Sequence, residues 1–229
     1  MKSLVISKRN DFRIQSLMAP LQKIMEVGQM QTHEVAAFES FDADLVFTDE
    51  IEAFPDGFDL KLLSKIQPFI NLLSYRESKI EPKYESEISY VGPISDMGGA
   101  MLDLYRLGYN VRNFYASPSM LPCYSGSIPM DECWGVYRNA KVSPIPADDI
   151  GYRELDIVAS DGNPLKFTTK DEFISEAIKG INGKRFKYSM PKKVVLGSNT
   201  NFDRLATILD KMGFPAVAKK IKKEKTCLV

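Results

Sequence analysis

A chain of 229 residues has room for one large domain or two small ones, and its 44% apolar content is that of an ordinary globular protein. No run approaches the ~18 consecutive apolar residues of a membrane span, so composition argues against a membrane-spanning role and for no membrane partner. Thirty Lys and Arg balance thirty Asp and Glu, but unevenly: residues 31–60 hold nine acids and no base, while 184–225 hold twelve bases against three acids. A basic end of this kind suits a polyanionic partner. A solvated C-terminal helix accounts for it equally well.

The three cysteines, Cys123, Cys133 and Cys227, lie at no metal-ligand spacing and leave an odd thiol. That usage suits a reducing, cytoplasmic setting. The opening residues are too short for a signal peptide and read as a first strand. In the terminal Thr-Cys-Leu-Val the cysteine stands third from the end, so it is no prenylation box.

In chain order, residues 3–7 predict a buried strand. A polar loop with Lys8, Arg9 and Asp11 follows, then a helix over 12–27 with Ile14, Leu17, Met18, Leu21 and Ile24 at helical spacing. Strand, polar loop and helix open a nucleotide-type α/β fold, whose ligands bind at the carboxyl ends of parallel strands. Residues 44–48 read as a second strand ending at Asp49, 55–57 as a turn and 60–66 as a short helix. Residues 69–74 read as a third strand, ending at Glu77 after Tyr75-Arg76. His33 has no partner histidine or cysteine nearby, which argues against histidine-based nucleophilic or metal chemistry. The charged stretch 79–87 reads as a linker.

The second half opens with a strand over 88–92, ending at Gly92. Its loop carries Ser95 and the pair Gly98-Gly99, which lets backbone approach a ligand at the start of a helix over 100–107. A strand over 110–115 leads to the loop Gly126-Ser127-Ile128-Pro129-Met130. A helix over 131–140 follows with Asp131 as its N-cap, then a strand over 141–146. In the next helix, 152–160, Arg153 and Asp156 stand three apart and share one face. A guanidinium suits a phosphate and a carboxylate suits ribose hydroxyls. Thr169 to Glu172 cap a helix over 173–181, residues 184–197 read as irregular or strand-like, and 201–212 and 215–223 are amphipathic helices.

The loop Gly126–Met130, followed one helix and one strand later by Arg153-x-x-Asp156-x-x-Ala159-Ser160-Asp161, resembles the nucleotide-binding domain of the T-even phage DNA β-glucosyltransferases. The likeness covers about residues 86–180. It implies an α/β chain of two Rossmann-like domains facing a cleft, the GT-B type, with the N-terminal one small. Residues 1–85 would form an acceptor-side domain, 86–185 the nucleotide-sugar domain, and 186–229 a basic helical segment packing back.

The implied activity is inverting transfer of a sugar from a UDP-sugar to a 5-hydroxymethylated pyrimidine in double-stranded DNA. The sugar would be glucose or a pentose such as arabinose, and the requirement for a divalent metal stays open. The setting would be cytoplasmic, that of an infected host if the chain is viral. By the same likeness, backbone groups at Ile128 and Met130 hold the uracil, Arg153 the diphosphate and Asp156 the ribose. Gly92 and Ser95 border the donor. Thr48-Asp49 matches the pair that carries the catalytic base by local sequence, and Glu77 takes that place by strand order. Arg9 and Asp11 would reach sugar or phosphate from the first half.

Two departures stand out. The loop after the opening strand of the second half lacks the family's two diphosphate arginines, and the first half is much shorter. They favour one alternative, a degenerate fold acting as a DNA- or protein-binding module. The pattern Arg153-x-x-Asp156-Ile157-x-Ala159 is similar to that of spore- and cell-surface glycosyltransferases, which gives a second alternative, a transferase with a glycan or protein acceptor.

Overall fold

The computed structural model describes residues 2–7, 12–31, 43–48, 58–59, 67–77, 79–94, 97–147 and 151–228. Two compact units emerge, Met1–Leu73 with Ser198–Val229, and Ser74–Gly197. The sequence boundaries expected at 85/86 and 185/186 thus compare with divisions at 73/74 and 197/198. The expected helix at 60–66, the turn at 55–57 and His33 lie outside the described residues.

The first unit holds an all-parallel sheet in the order β2-β1-β3-β4, from β1 (Lys2–Ser7), β2 (Glu26–Gln31), β3 (Leu45–Thr48) and β4 (Phe58–Asp59). Central β1 pairs on both sides, so Leu4, Val5 and Ile6 are all buried, the continuous apolar run of a parallel strand. The helix expected over 12–27 is shorter. α1 spans Phe12–Met18, and a 3-10 turn spans Ala19–Lys23. Pro20 explains this: it has no N–H to donate and its ring clashes with the preceding turn. Glu26 and Val27 then enter β2.

Residues 69–74 do not add a sheet strand. Ile70 makes one parallel bridge to Thr200, and Leu72 to Ser74 turn away. α7 (Asn201–Lys211) begins there with a reciprocal cap between Thr200 and Asp203, and α8 (Pro215–Thr226) packs along it. Lys225 Nζ lies 2.7 Å from Asp203, tying α8 to the start of α7.

The second unit repeats the same order, β6-β5-β7-β8, again all parallel: β5 (Ser86–Val91), β6 (Val111–Phe114), β7 (Ala140–Ile145) and β8 (Pro164–Lys166). The connections between these parallel strands carry helices to both faces of the sheet. On one face α2 (Gly98–Arg106) and α5 (Lys170–Ile181) close over Ile88, Val111, Val142 and Leu165. On the other, α3 (Cys133–Asn139) and α4 (Tyr152–Ala159) pack through Cys133, Tyr137 and Ile157 onto Ile145. β7 serves both faces by alternation.

Asp131 is not the N-cap of α3. It lies inside a 3-10 turn, Met130–Glu132, that leads into the helix. The stretch expected to be irregular or strand-like contains α6 (Lys192–Ser198).

Ser143 on β7 is fully buried, and its hydroxyl has no hydrogen-bond partner among the described residues. An unpaired buried hydroxyl costs about 1–3 kcal/mol. Ser143→Ala is therefore expected to hold or raise the thermal midpoint in calorimetry; a clear fall would show that the hydroxyl has a partner.

Candidate functional site

In the second unit β5 sends α2 toward β6 and, from β6, α3 leads back across to β7, so the winding reverses between β5 and β7. In open α/β sheets the crevice at the carboxyl ends of the two strands flanking that reversal is the usual ligand site. Here those ends are Val91-Gly92 and Ile145-Pro146.

Asn113, 1% exposed at the end of β6, fixes the first of them. Its Nδ2 donates to Tyr90 O at 3.2 Å and to Gly92 O at 3.0 Å. Gly92 has φ +136°, a conformation that glycine adopts without strain.

Arg153, in the first turn of α4, reaches back across this crevice. Its Nη2 donates to Val91 O at 3.3 Å, and its guanidinium carbon stands 4.3 Å from the centre of the Tyr90 ring. Its charge also acts on the Tyr137 hydroxyl. Burial pushes the Tyr137 phenol well up, with the Arg153 charge opposing and Asp156 reinforcing the shift. Asp156 lies one turn along α4, half-buried, and its charge is also felt at Cys133. Burial first, then the Asp156 and Asp131 carboxylates, push the Cys133 thiol up to about 12, so it is no nucleophile at neutral pH.

Ile128 packs on the cluster of Cys133, Tyr137, Ile145 and Ile157. The loop before it is held by Ser125 N to Asn113 O and Tyr115 N to Gly126 O, at 2.7 and 3.0 Å. Gly92, Ile128, Arg153 and Asp156 are thus gathered around one end of the sheet. The backbone of Met130 lies in the turn that enters α3.

Glu77 is elsewhere. It is exposed, and its charge acts on Tyr75 and Lys192. The Tyr75 hydroxyl donates to Ala159 O, at the opposite end of α4 from Arg153. Asp49, Ser95, Arg9 and Asp11 lie outside the described residues. Tyr90, Tyr137 and Asn113 are site residues that sequence reasoning missed. A polar asparagine at the end of an apolar strand, Val111-Arg112-Asn113-Phe114, is the signal that could have pointed to the last of them.

Among the described residues, cavities adjoin this sheet at either end of β7. One, of about 390 Å³, opens at the carboxyl ends of β7 and β8 among Ile145, Gly151, Glu154, Lys166, Thr168 and Glu172. The other, of about 430 Å³, lies at the amino end of β7 and is rimmed by Arg138, Lys141, Lys184 and Arg185. Three of those cations already face acids, Asp161, Glu87 and Glu176, so the second cavity carries little net positive field. Neither is lined by Arg153 or Asp156. The strand-end crevice is the better candidate because its groups converge and because the topology places it.

Glu154 points away from the crevice, into the first cavity. Lys166 Nζ lies 2.6 Å from it and Ser189 N donates at 2.9 Å. Burial pushes its carboxyl up, but the bonds from Lys166 and Ser189 outweigh burial and hold it below the usual range. A depressed carboxylate stabilises the fold above its unfolded value and loses that contribution as pH falls through the folded one. Glu154→Gln is accordingly expected to flatten the acid limb of the stability curve, measured by urea unfolding across the carboxylate range; an unchanged limb would refute the assignment.

Among the described residues no group of three or more His, Cys, Asp or Glu is placed to hold a metal ion, and no helix is long and apolar enough to cross a membrane. The chain matches no protein-family model and no curated protein.

Proposed function

We propose that the chain is a UDP-sugar-dependent glycosyltransferase acting on a 5-hydroxymethylated pyrimidine in DNA. The observation that carries this reading is Arg153 laid across the β5/β7 crevice, with Asp156 one helical turn away and the Ile128 loop alongside. In this reading Arg153 takes the diphosphate, Asp156 the ribose hydroxyls and the backbone at Ile128 the uracil edge.

A carboxylate removes the acceptor hydroxyl's proton as its oxygen attacks the anomeric carbon, and UDP leaves from the opposite face. Arg153 stabilises the charge that develops on the departing diphosphate. Asp49 is the carboxylate of choice, since Glu77 stands beside the far end of α4. The base must be turned out of the duplex to react. Lys219, Lys220, Lys222 and Lys223 on α8 are exposed and supply cations for the phosphate backbone.

One observation favours a second reading, a nucleotide-binding fold that no longer catalyses. The described part of the loop after β5, Gly92-Pro93-Ile94, carries no base, which leaves Arg153 as the cation across the crevice there.

The deciding assay measures UDP release from UDP-glucose and from UDP-arabinose, with plain and hydroxymethylated duplex DNA side by side. The transferase reading expects release that depends on the hydroxymethyl group. UDP binding without release from any donor would favour the non-catalytic reading.

A further inference from the structure

We infer that Tyr90 and Gly92 are positioning residues that fix the Arg153 guanidinium in the plane from which it meets a diphosphate; the inference rests on the nucleotide reading of the crevice. An arginine side chain at the start of a helix ordinarily samples many rotamers, and holding it in one geometry costs conformational entropy. Here two contacts from the end of β5 confine it. The Tyr90 ring supports the flat face at 4.3 Å and Val91 O at 3.3 Å takes one Nη2 hydrogen. A guanidinium is planar with donors in a fixed fork, so fixing its plane also fixes the directions in which it can donate.

Gly92 suits this arrangement in two ways. A Cβ built there would lie 3.0 Å from Arg153 Nη2, tight enough that the guanidinium would have to give by a few tenths of an ångström, and φ +136° is a conformation in which any side chain is strained. An alanine at this position would strain the backbone at the strand end and shift the guanidinium against the Tyr90 face. Asn113 holds the carbonyls on either side of Val91, so the strand end cannot readily shift to make room. Tyr90 is itself packed in the core under α2, which keeps its ring from following the arginine. The crevice therefore presents a pre-oriented donor rather than a mobile charge, and preorganisation of this kind lowers the ordering cost of binding. It bears directly on a site whose described opening loop carries no base of its own.

The test follows the Arg153 Nε–H by NMR in isotope-labelled protein, assigned with Arg153→Lys, during titration with UDP and separately with uridine. Stacking on Tyr90 predicts an upfield-shifted Nε–H before any ligand is added. The shift is expected to survive in Tyr90→Phe, which keeps the ring, to vanish in Tyr90→Leu and to diminish in Gly92→Ala. Those two variants are expected to lose about tenfold or more in UDP affinity while binding uridine as the wild type does, since only the phosphates meet the guanidinium. An unshifted wild-type signal, or equal losses for UDP and uridine, would overturn the positioning role. A shifted signal that follows this variant pattern, in a wild type that binds no UDP, would support the positioning role and overturn the nucleotide reading instead.

Discussion

Arg153→Ala is expected to weaken UDP binding by about a hundredfold in calorimetric titration while leaving uridine binding nearly unchanged. A charge-assisted hydrogen bond contributes about 1.5–3 kcal/mol and a factor of ten costs about 1.4 kcal/mol, so two such bonds to a diphosphate account for the loss. Arg153→Lys should fall between, because an ammonium carries the charge but cannot lie flat on Tyr90 or present a fork of donors. The stability cost of Arg153→Ala should be small, since the side chain is half-exposed and its removal leaves Tyr90 in the core under α2. Wild-type UDP affinity in the alanine variant would remove the diphosphate from this crevice.

Asn201→Leu is expected to destabilise the first unit by about 3–5 kcal/mol, the largest stability effect of any single polar change considered, read as hydrogen-exchange protection at the amides of β1. Asn201 is 0% exposed. Its Nδ2 donates to Ser16 O at 2.7 Å and to Asn71 Oδ1 at 3.1 Å, while its Oδ1 accepts from Leu72 N at 3.1 Å. One side chain thus joins α1, the segment after Ile70 and the start of α7. Leucine has a similar volume but satisfies none of these groups. A buried carbonyl and N–H left without partners cost about 1–3 kcal/mol each. The same joint explains why the C-terminal helices form one unit with β1 rather than a loose basic tail. Undiminished protection in the variant would mean that these bonds contribute little.

Much of the second unit is legible in the sequence because its determinants are local. Ile88-Ser89-Tyr90-Val91 and Val142-Ser143-Pro144-Ile145 are short uncharged segments with apolar ends, and the Arg153–Asp156 spacing declares a shared helix face without reference to anything else. The misreadings involve determinants that are not local. Phe69, Ile70 and Leu72 are as buried as strand residues, yet the strand-like pairing there is a single bridge from Ile70 to Thr200, 130 residues away. Strand order selects Glu77 only if residues 69–74 join the sheet, so that route to Glu77 does not hold. Pro20 lies in an otherwise helical pattern whose apolar spacing runs through it. Val194 and Val195 lend 184–197 a strand-like look, while Pro191, whose carbonyl accepts from both of their amides, starts α6. Tyr90 and Tyr137 read as core residues, and they are core residues. Only the tertiary register that swings Arg153 over β5 makes them part of a site.

The central claim is that the β5/β7 crevice takes a nucleoside diphosphate. The measurement that tests it most directly is a backbone-amide NMR titration of the full chain with UDP into the millimolar range. The account predicts saturable shifts concentrated at Gly92, around Ile128 and along Arg153 to Asp156. No shifts at millimolar UDP, or shifts confined to residues away from that end of the sheet, would contradict it.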